Sequence, residues 1–196
     1  MSLSAAVLIG GRSKRMGQPK ALLRLTPDRP TLLETVVEAV AQVAEDVVLV
    51  GGADWSIPKS LGDLRRVVDD GNGAADGVVA ALRAARFDAC LVVGCDMPFL
   101  DAALLREMAE LAMRAERGVF TSDTSGLHPL HAIWRRDDVA RIKALITGGE
   151  RSLGTISREL HMTTIDLRGR DESARWSVFN ANTPADLEMA VHHANL

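Results

Sequence analysis

A chain of 196 residues can bury one substantial core, so a single domain spanning residues 1–196 is expected. Hydrophobic residues at 47% and charged residues at 25% place it with globular proteins, not with disordered or fibrous ones. Four Phe, three Trp, no Tyr and a net charge of -3 argue against an extended nucleic-acid surface, which needs stacking platforms and a basic stripe. Two cysteines, Cys90 and Cys95, match no disulfide framework and no zinc pattern, which fits a reducing compartment. The first ten residues hold neither a basic leader nor an apolar run of membrane length, so a cytoplasmic protein without a membrane partner is expected.

Ala5 to Ile9 is a short apolar run that ends on Gly10 and Gly11, the pattern of a strand buried on both faces and closed by a tight loop. Thr31 and Glu34 have capping-box spacing, and Leu33, Val36, Val37, Val40 and Val43 recur at helical intervals behind them. Val47 to Val50 reads as a second strand, and residues 53–64 as an irregular crossover with one helical turn. Val67 and Val68 form a short strand that delivers Asp69 and Asp70 into a Gly-rich loop. A helix over Gly77 to Ala85 leads into Ala89 to Gly94, the most strand-like segment and so the expected centre of the sheet. Pro98 forces the chain off the sheet just past Asp96, and Asp101 caps a helix reaching about Arg117.

Val119 to Ser122 and Leu130 to Trp134 read as strands, and Asp137 to Ile146 and Ser152 to Leu160 as helices. Thr163 to Leu167 and Ser177 to Phe179 read as late strands, before a C-terminal helix with Pro184 at its first position. Strands alternating with helices at this spacing predict an α/β fold with a mainly parallel central sheet. In such folds ligands bind at the carboxyl ends of the strands. Here those ends carry Gly10 and Gly11, Asp70, and Asp96.

The loop after the first strand is the most informative stretch. Two glycines let the backbone approach a ligand, and Arg12, Lys14, Arg15 and Lys20 supply four cations in nine residues with no acid between them. That density suits a di- or triphosphate, although a solvated basic loop has the same composition. The stretch lacks both the P-loop pattern and G-x-G-x-x-G, so neither an ATPase of that class nor a dinucleotide oxidoreductase is indicated. Asp70 has an equally simple reading as a turn residue ahead of Gly71, Asn72 and Gly73, and its neighbour Asp69 is the weaker candidate. Asn180 and Asn182 would face one side if their segment is extended, and Asn182 is also placed to cap the helix that follows. His128 and His131 show no partner in the sequence and read as structural residues.

Taken whole, LIGGRSKRMGQPKALL resembles the signature L-x-G-G-x-S-x-R-M-G-x-x-K of the GTP- and CTP-using nucleotidyltransferases. Within that superfamily the chain is most similar to the molybdenum cofactor guanylyltransferases, the MobA family. The similarity recurs at Asp70, at Cys95 to Pro98 and at Phe179 to Leu187. The resemblance implies a three-layer α/β/α Rossmann-like fold and Mg²⁺-dependent transfer of GMP from GTP to the terminal phosphate of molybdenum-molybdopterin, with release of pyrophosphate. It assigns Arg15 to the leaving pyrophosphate, Lys20 to charge near the α-phosphate, and Asp96 to the metal, these three being the candidate catalytic residues. Leu8, Ile9, Gly10, Gly11 and Asp70 join them in the nucleotide site, while Arg151, Asn180 and Asn182 fall near the second substrate. Handover of a labile cofactor also implies transient contacts with proteins that supply or receive it.

The chain departs from the family where Gly77 to Ala81 replaces a Gly-Pro-Leu-Ala-Gly segment, and where Gly51 and Gly52 follow the second strand in place of an asparagine. A cytidylyltransferase using CTP is the nearest rival, but its first loop usually reads L-A-A-G whereas this chain has the double glycine. A nucleotide-binding regulatory module is the rival from another class; it would not need the metal carboxylate.

Overall fold

The opening apolar run forms β1, Leu3–Leu8, every residue of which is buried. The structure, a computed structural model, describes residues 2–10, 19–52, 56–69 and 71–195. Along β1 the side chains alternate between two cores. Leu3, Ala5 and Val7 enter one, Ala6 and Leu8 the other. The same division runs through β2, Asp46–Val50, and β4, Ala89–Gly94. Strands buried on both faces need helices on both faces, and the chain supplies them. Helices α1, Leu32–Ala41, and α3, Ala102–Ala115, cover the first core. The second is covered by α2, Ala74–Ala84, α4, Val139–Thr147, and α5, Leu153–Glu159.

With β3, Arg65–Val67, β5, Val119–Asp123, β6, Gly126–Arg135, and β7, Thr163–Asp166, the strands form one sheet in the order β3-β2-β1-β4-β6-β5-β7. Strand β4 lies at its centre, as expected. Four of the six pairings are parallel; β6 runs antiparallel to both of its neighbours. Two reversals restore direction, so β5 and β7 point the same way as β1 and β4, and their carboxyl ends share one edge of the sheet.

Local chemistry explains most of the boundaries. Thr31 and Glu34 close a reciprocal capping box, with Glu34 N–H donating to Thr31 Oγ1 at 3.2 Å and Thr31 N–H to Glu34 Oε2 at 2.7 Å. Asp101 accepts the Leu104 N–H at 2.7 Å and starts α3. The crossover carries its single helical turn at Lys59–Leu61; residues 53–55 lie outside the described residues. Val68, expected in a strand, stands beyond β3 and is 71% exposed.

Two expectations are corrected. Ser177 to Phe179 is not a strand: Asp171 accepts the Ala174 N–H at 2.9 Å and starts a short helix, α6, Glu172–Trp176. Phe179 N–H then bonds back to the Trp176 carbonyl, so the backbone donors a ladder would need are spent in a turn. Helix α7, Pro184–Ala194, begins where expected, but its cap is Thr183, not Asn182; Thr183 and Asp186 form a second capping box.

Candidate functional site

The carboxyl edge of the sheet is knitted by its own backbone. Ile9 N–H donates to Val50 O, Gly51 N–H to Val67 O and Cys95 N–H to Leu8 O, at 2.8, 2.8 and 3.1 Å. The turns that leave β1 and β2 therefore press together. A Cβ on Gly51 would stand 2.9 Å from Gly10 Cα, and the residue has φ +89°, so only glycine fits. Over this glycine floor lies the Asp69 carboxylate, with Oδ2 3.5 Å from the positions a Cβ would take on Gly10, Gly51 and Gly77. Its other oxygen accepts the Gly71 N–H at 3.2 Å. Glycine at these three positions leaves a notch of bare backbone, and the Asp69 carboxylate occupies it.

Leu8 and Ile9 bury their side chains in opposite cores, so only their backbone could meet a ligand, and the Leu8 carbonyl is already taken by Cys95. Gly11, Arg15 and Asp70 lie outside the described residues.

Pro19 starts the 3₁₀ turn Lys20–Leu22, which brings Lys20 to the end of β4. Its Nζ stands 3.2 Å from Asp96 Oδ2 and donates a short hydrogen bond to Asn182 Oδ1. Both members of the ion pair are about one-fifth exposed, so the charges are partly shielded from water yet reachable. Asp96 folds its other oxygen back over Gly94, where a Cβ would come within 2.5 Å of Oδ1. The segment before α7 closes the arrangement from the far side. Ala181 N–H donates to the Asp96 carbonyl at 2.8 Å, and Asn182 N–H to Asp186 Oδ2 at 2.9 Å.

Asn180 and Asn182 do not face one side. Asn182 N–H bonds the Asn180 carbonyl at 3.1 Å, a tight turn that breaks the strand alternation. Asn180 donates to Val178 O and lines a separate cavity, while Asn182 reaches Lys20. Arg151 pairs at 2.5 Å with Asp76 in the first turn of α2 and donates to Asn72 O, so its partners are on α2 and the loop before it.

The buried thiols are inert. Burial pushes Cys95 up to about 12, with Asp96 adding to the effect, so it stays protonated beside the site. His131 is fully buried between Thr121 Oγ1, 3.1 Å from Nδ1, and Ser177 Oγ, 2.8 Å from Nε2. Burial pulls its pKa down to about 3, leaving a neutral ring that ties β6 to the loop after α6. It is structural, as the sequence reading held.

Residues 5–163 match the MobA-like NTP transferase domain family. The chain belongs to that family. A probable molybdenum cofactor guanylyltransferase of Opitutus terrae is 35% identical over 94% of this chain and 93% of its own length. One from Chloroflexus aggregans is 31% identical over 96% and 93%. The crystal structure of molybdopterin-guanine dinucleotide biosynthesis protein A from Archaeoglobus fulgidus superposes with a TM-score of 0.80 at 26% identity, covering 98% of each chain.

In this MobA-like chain, sequence reasoning brought Lys20, Asp96 and Asn182 to one place but ranked Asp69 below Asp70. Gly10 and Gly51 in two turns and Gly77 in α2 surround the Asp69 carboxylate, a grouping of three distant glycines that no local pattern announces. Among the described residues, no helix is long and apolar enough to cross a membrane.

Proposed function

We propose that the protein transfers GMP from GTP to the terminal phosphate of molybdenum-molybdopterin. An oxygen of the acceptor phosphate bonds to the α-phosphorus, the bond from that phosphorus to the bridging oxygen breaks, and pyrophosphate leaves. The observation that carries the reading is Lys20, held between Asp96 and Asn182 at the edge where β1 and β4 end. Two anions must be brought together, so the protein's task is positioning and charge neutralisation, not covalent chemistry. Asn182 and Asp96 fix the Lys20 ammonium before substrate arrives, so little reorganisation remains when charge develops. Asp69, set against Gly10, Gly51 and Gly77, supports a guanine by its chemistry, as a carboxylate that can accept from the N–H donors of the base edge. Arg15 is the residue that the family resemblance assigns to the leaving pyrophosphate.

Asp96 suits Mg²⁺ by its donor chemistry. It offers one carboxylate at a strand end, and among the described residues no group of three or more His, Cys, Asp or Glu forms an all-protein cage. That matches an ion that retains water and takes phosphate oxygens as its other ligands. Bound there, Mg²⁺ would offset negative charge on the nucleotide phosphates.

The test is to supply purified protein with Mg²⁺, loaded molybdenum cofactor and each nucleoside triphosphate, and to measure pyrophosphate with nucleotide-linked product. Product from GTP is expected. Product from CTP alone would assign the chain to the cytidylyltransferases, and GTP binding without product would make it a binding module. Asp96→Asn should lower turnover by about 100-fold or more with unchanged circular dichroism.

A further inference from the structure

Beyond the glycine notch, the carboxyl edge of the sheet holds a cavity of about 440 Å³, walled by the turn between β5 and β6 on one side and by α6 with its following loop on the other. Its wall carries Asp123, His128, Glu172, Arg175, Trp176 and Phe179, and Asn180 closes one end. We propose that this cavity seats the pterin ring of the second substrate, with Asp123 reading the 2-amino-4-oxo-pyrimidine edge. The assignment rests on the transfer reading given above and names the residues that select its acceptor.

The first argument is position. Asn180 borders the cavity, the next residue donates its N–H to the Asp96 carbonyl, and the one after binds Lys20. Two residues of chain span at most about 7 Å, so a ring in the cavity has its phosphate-bearing arm within reach of Lys20 and Asp96.

The second is charge. Two carboxylates face one guanidinium, which disfavours an anion inside and leaves the phosphate to point toward Lys20. The excess carboxylate needs donors. A pterin offers an exocyclic amino group and a ring N–H side by side, spaced for the two oxygens of one carboxylate.

Asp123 is the better placed of the two acids. Its side chain is 25% exposed, whereas that of Glu172 is 66% exposed and stands at the mouth. Ser125 donates from both N–H and Oγ to Asp123 Oδ1 at 2.7 Å, and His128 Nε2 stands 3.0 Å from the same oxygen. All three contacts converge on Oδ1, and Oδ2 takes none of them. His128 Nε2 lies near Oδ1 without hydrogen-bond alignment, so a buried ring nitrogen remains unsatisfied at the wall. An unsatisfied buried donor or acceptor calls for a ligand group.

The third is shape. Trp176 and Phe179 give flat apolar surface, and both are locked from behind. Trp176 stacks on His193 at 3.7 Å and 10°, meets Phe99 edge-on at 5.3 Å, and lies 4.9 Å from Phe179. A wall held this way is preformed for a planar heterocycle.

The probe is 6-hydroxymethylpterin, which has the ring but neither metal nor phosphate, measured by equilibrium dialysis against the intact protein. Saturable binding is expected, with affinity about tenfold lower for the 2,4-dioxo analogue, whose 2-position presents an acceptor in place of a donor. Asp123→Asn should weaken the pterin about tenfold while GTP affinity stays unchanged. The analogue comparison needs no variant, so it stands even if Asp123→Asn folds poorly. Equal binding of the two analogues, or no pterin binding at all, would overturn the assignment. So would displacement of the pterin by guanosine, which shares the same edge and would make the cavity a guanine site. Failure of the transfer reading is separate: it appears as no product from GTP and loaded cofactor, whatever free pterin does.

Discussion

Lys20 touches side chains that arrive from distant parts of the chain, Asp96 after β4 and Asn182 before α7. Removing Asn182 leaves the ammonium with one anchor fewer but disturbs no core, because the Asn182 side chain belongs to none of the buried clusters. Asn182→Ala is therefore expected to lower kcat while melting within a degree or two of the parent, as followed by calorimetry and pyrophosphate release. Gly94→Ala makes a sharper test. The added methyl would meet Asp96 Oδ1 at 2.5 Å, and the carboxylate, as the free end of a side chain, would swing away before the backbone moved. A displacement near 1 Å at a reacting group costs about 100-fold in rate, so activity should fall by that order with the fold retained. Lys20 and Asp96 were legible because charge beside a strand end is a local pattern. Their meeting with Asn182 was legible only through the family resemblance, since 162 residues separate it from Lys20 and no periodicity encodes so long a contact.

Helix α1 shows how far local chemistry carries. Its capping box was readable from Thr31 and Glu34 alone, and Thr31→Ala should cost about 1 kcal/mol, a fall in Tm of about 2–4 °C on thermal unfolding. Strand β6 shows where such reading stops. The sequence suggested a strand only from Leu130, because Pro129 argues against a ladder position. The strand in fact begins at Gly126, since the register with β5 shifts between Phe120 and Thr121 and the proline falls in the bulge, where no ladder bond is asked of it. Ser177 to Phe179 misled in the opposite sense. Trp176, Val178 and Phe179 look like strand residues, but two of them are ring partners of Phe99 and serve the packing of α6 and α7. Aromatic side chains signal burial, not the backbone that delivers them.

For the molecule as a whole, the small net charge of -3 conceals strong separation along one edge of the sheet, where Lys20 lies beside Asp96 and carboxylates face the cavity. Stability toward acid should follow the buried imidazole. His131 is neutral in the fold down to about pH 3, whereas the unfolded chain takes up its proton near pH 6.5. Between those values the unfolded state binds more protons, so the contribution present above pH 6.5 is lost progressively as pH falls toward 3. Calorimetry from pH 7 to 4 should give a shallower decline for His131→Gln, which keeps polar contacts but does not titrate; an unchanged slope would assign the acid sensitivity to the carboxylates. The passage of residues 180–183 across Asp96 has a consequence for truncation. Every described strand is complete by Asp166, well before Asn182 in the chain. A fragment ending just short of Asn182 would therefore hold the whole described sheet while Lys20 lacked its Asn182 contact, so its far-ultraviolet circular dichroism would say little about its activity.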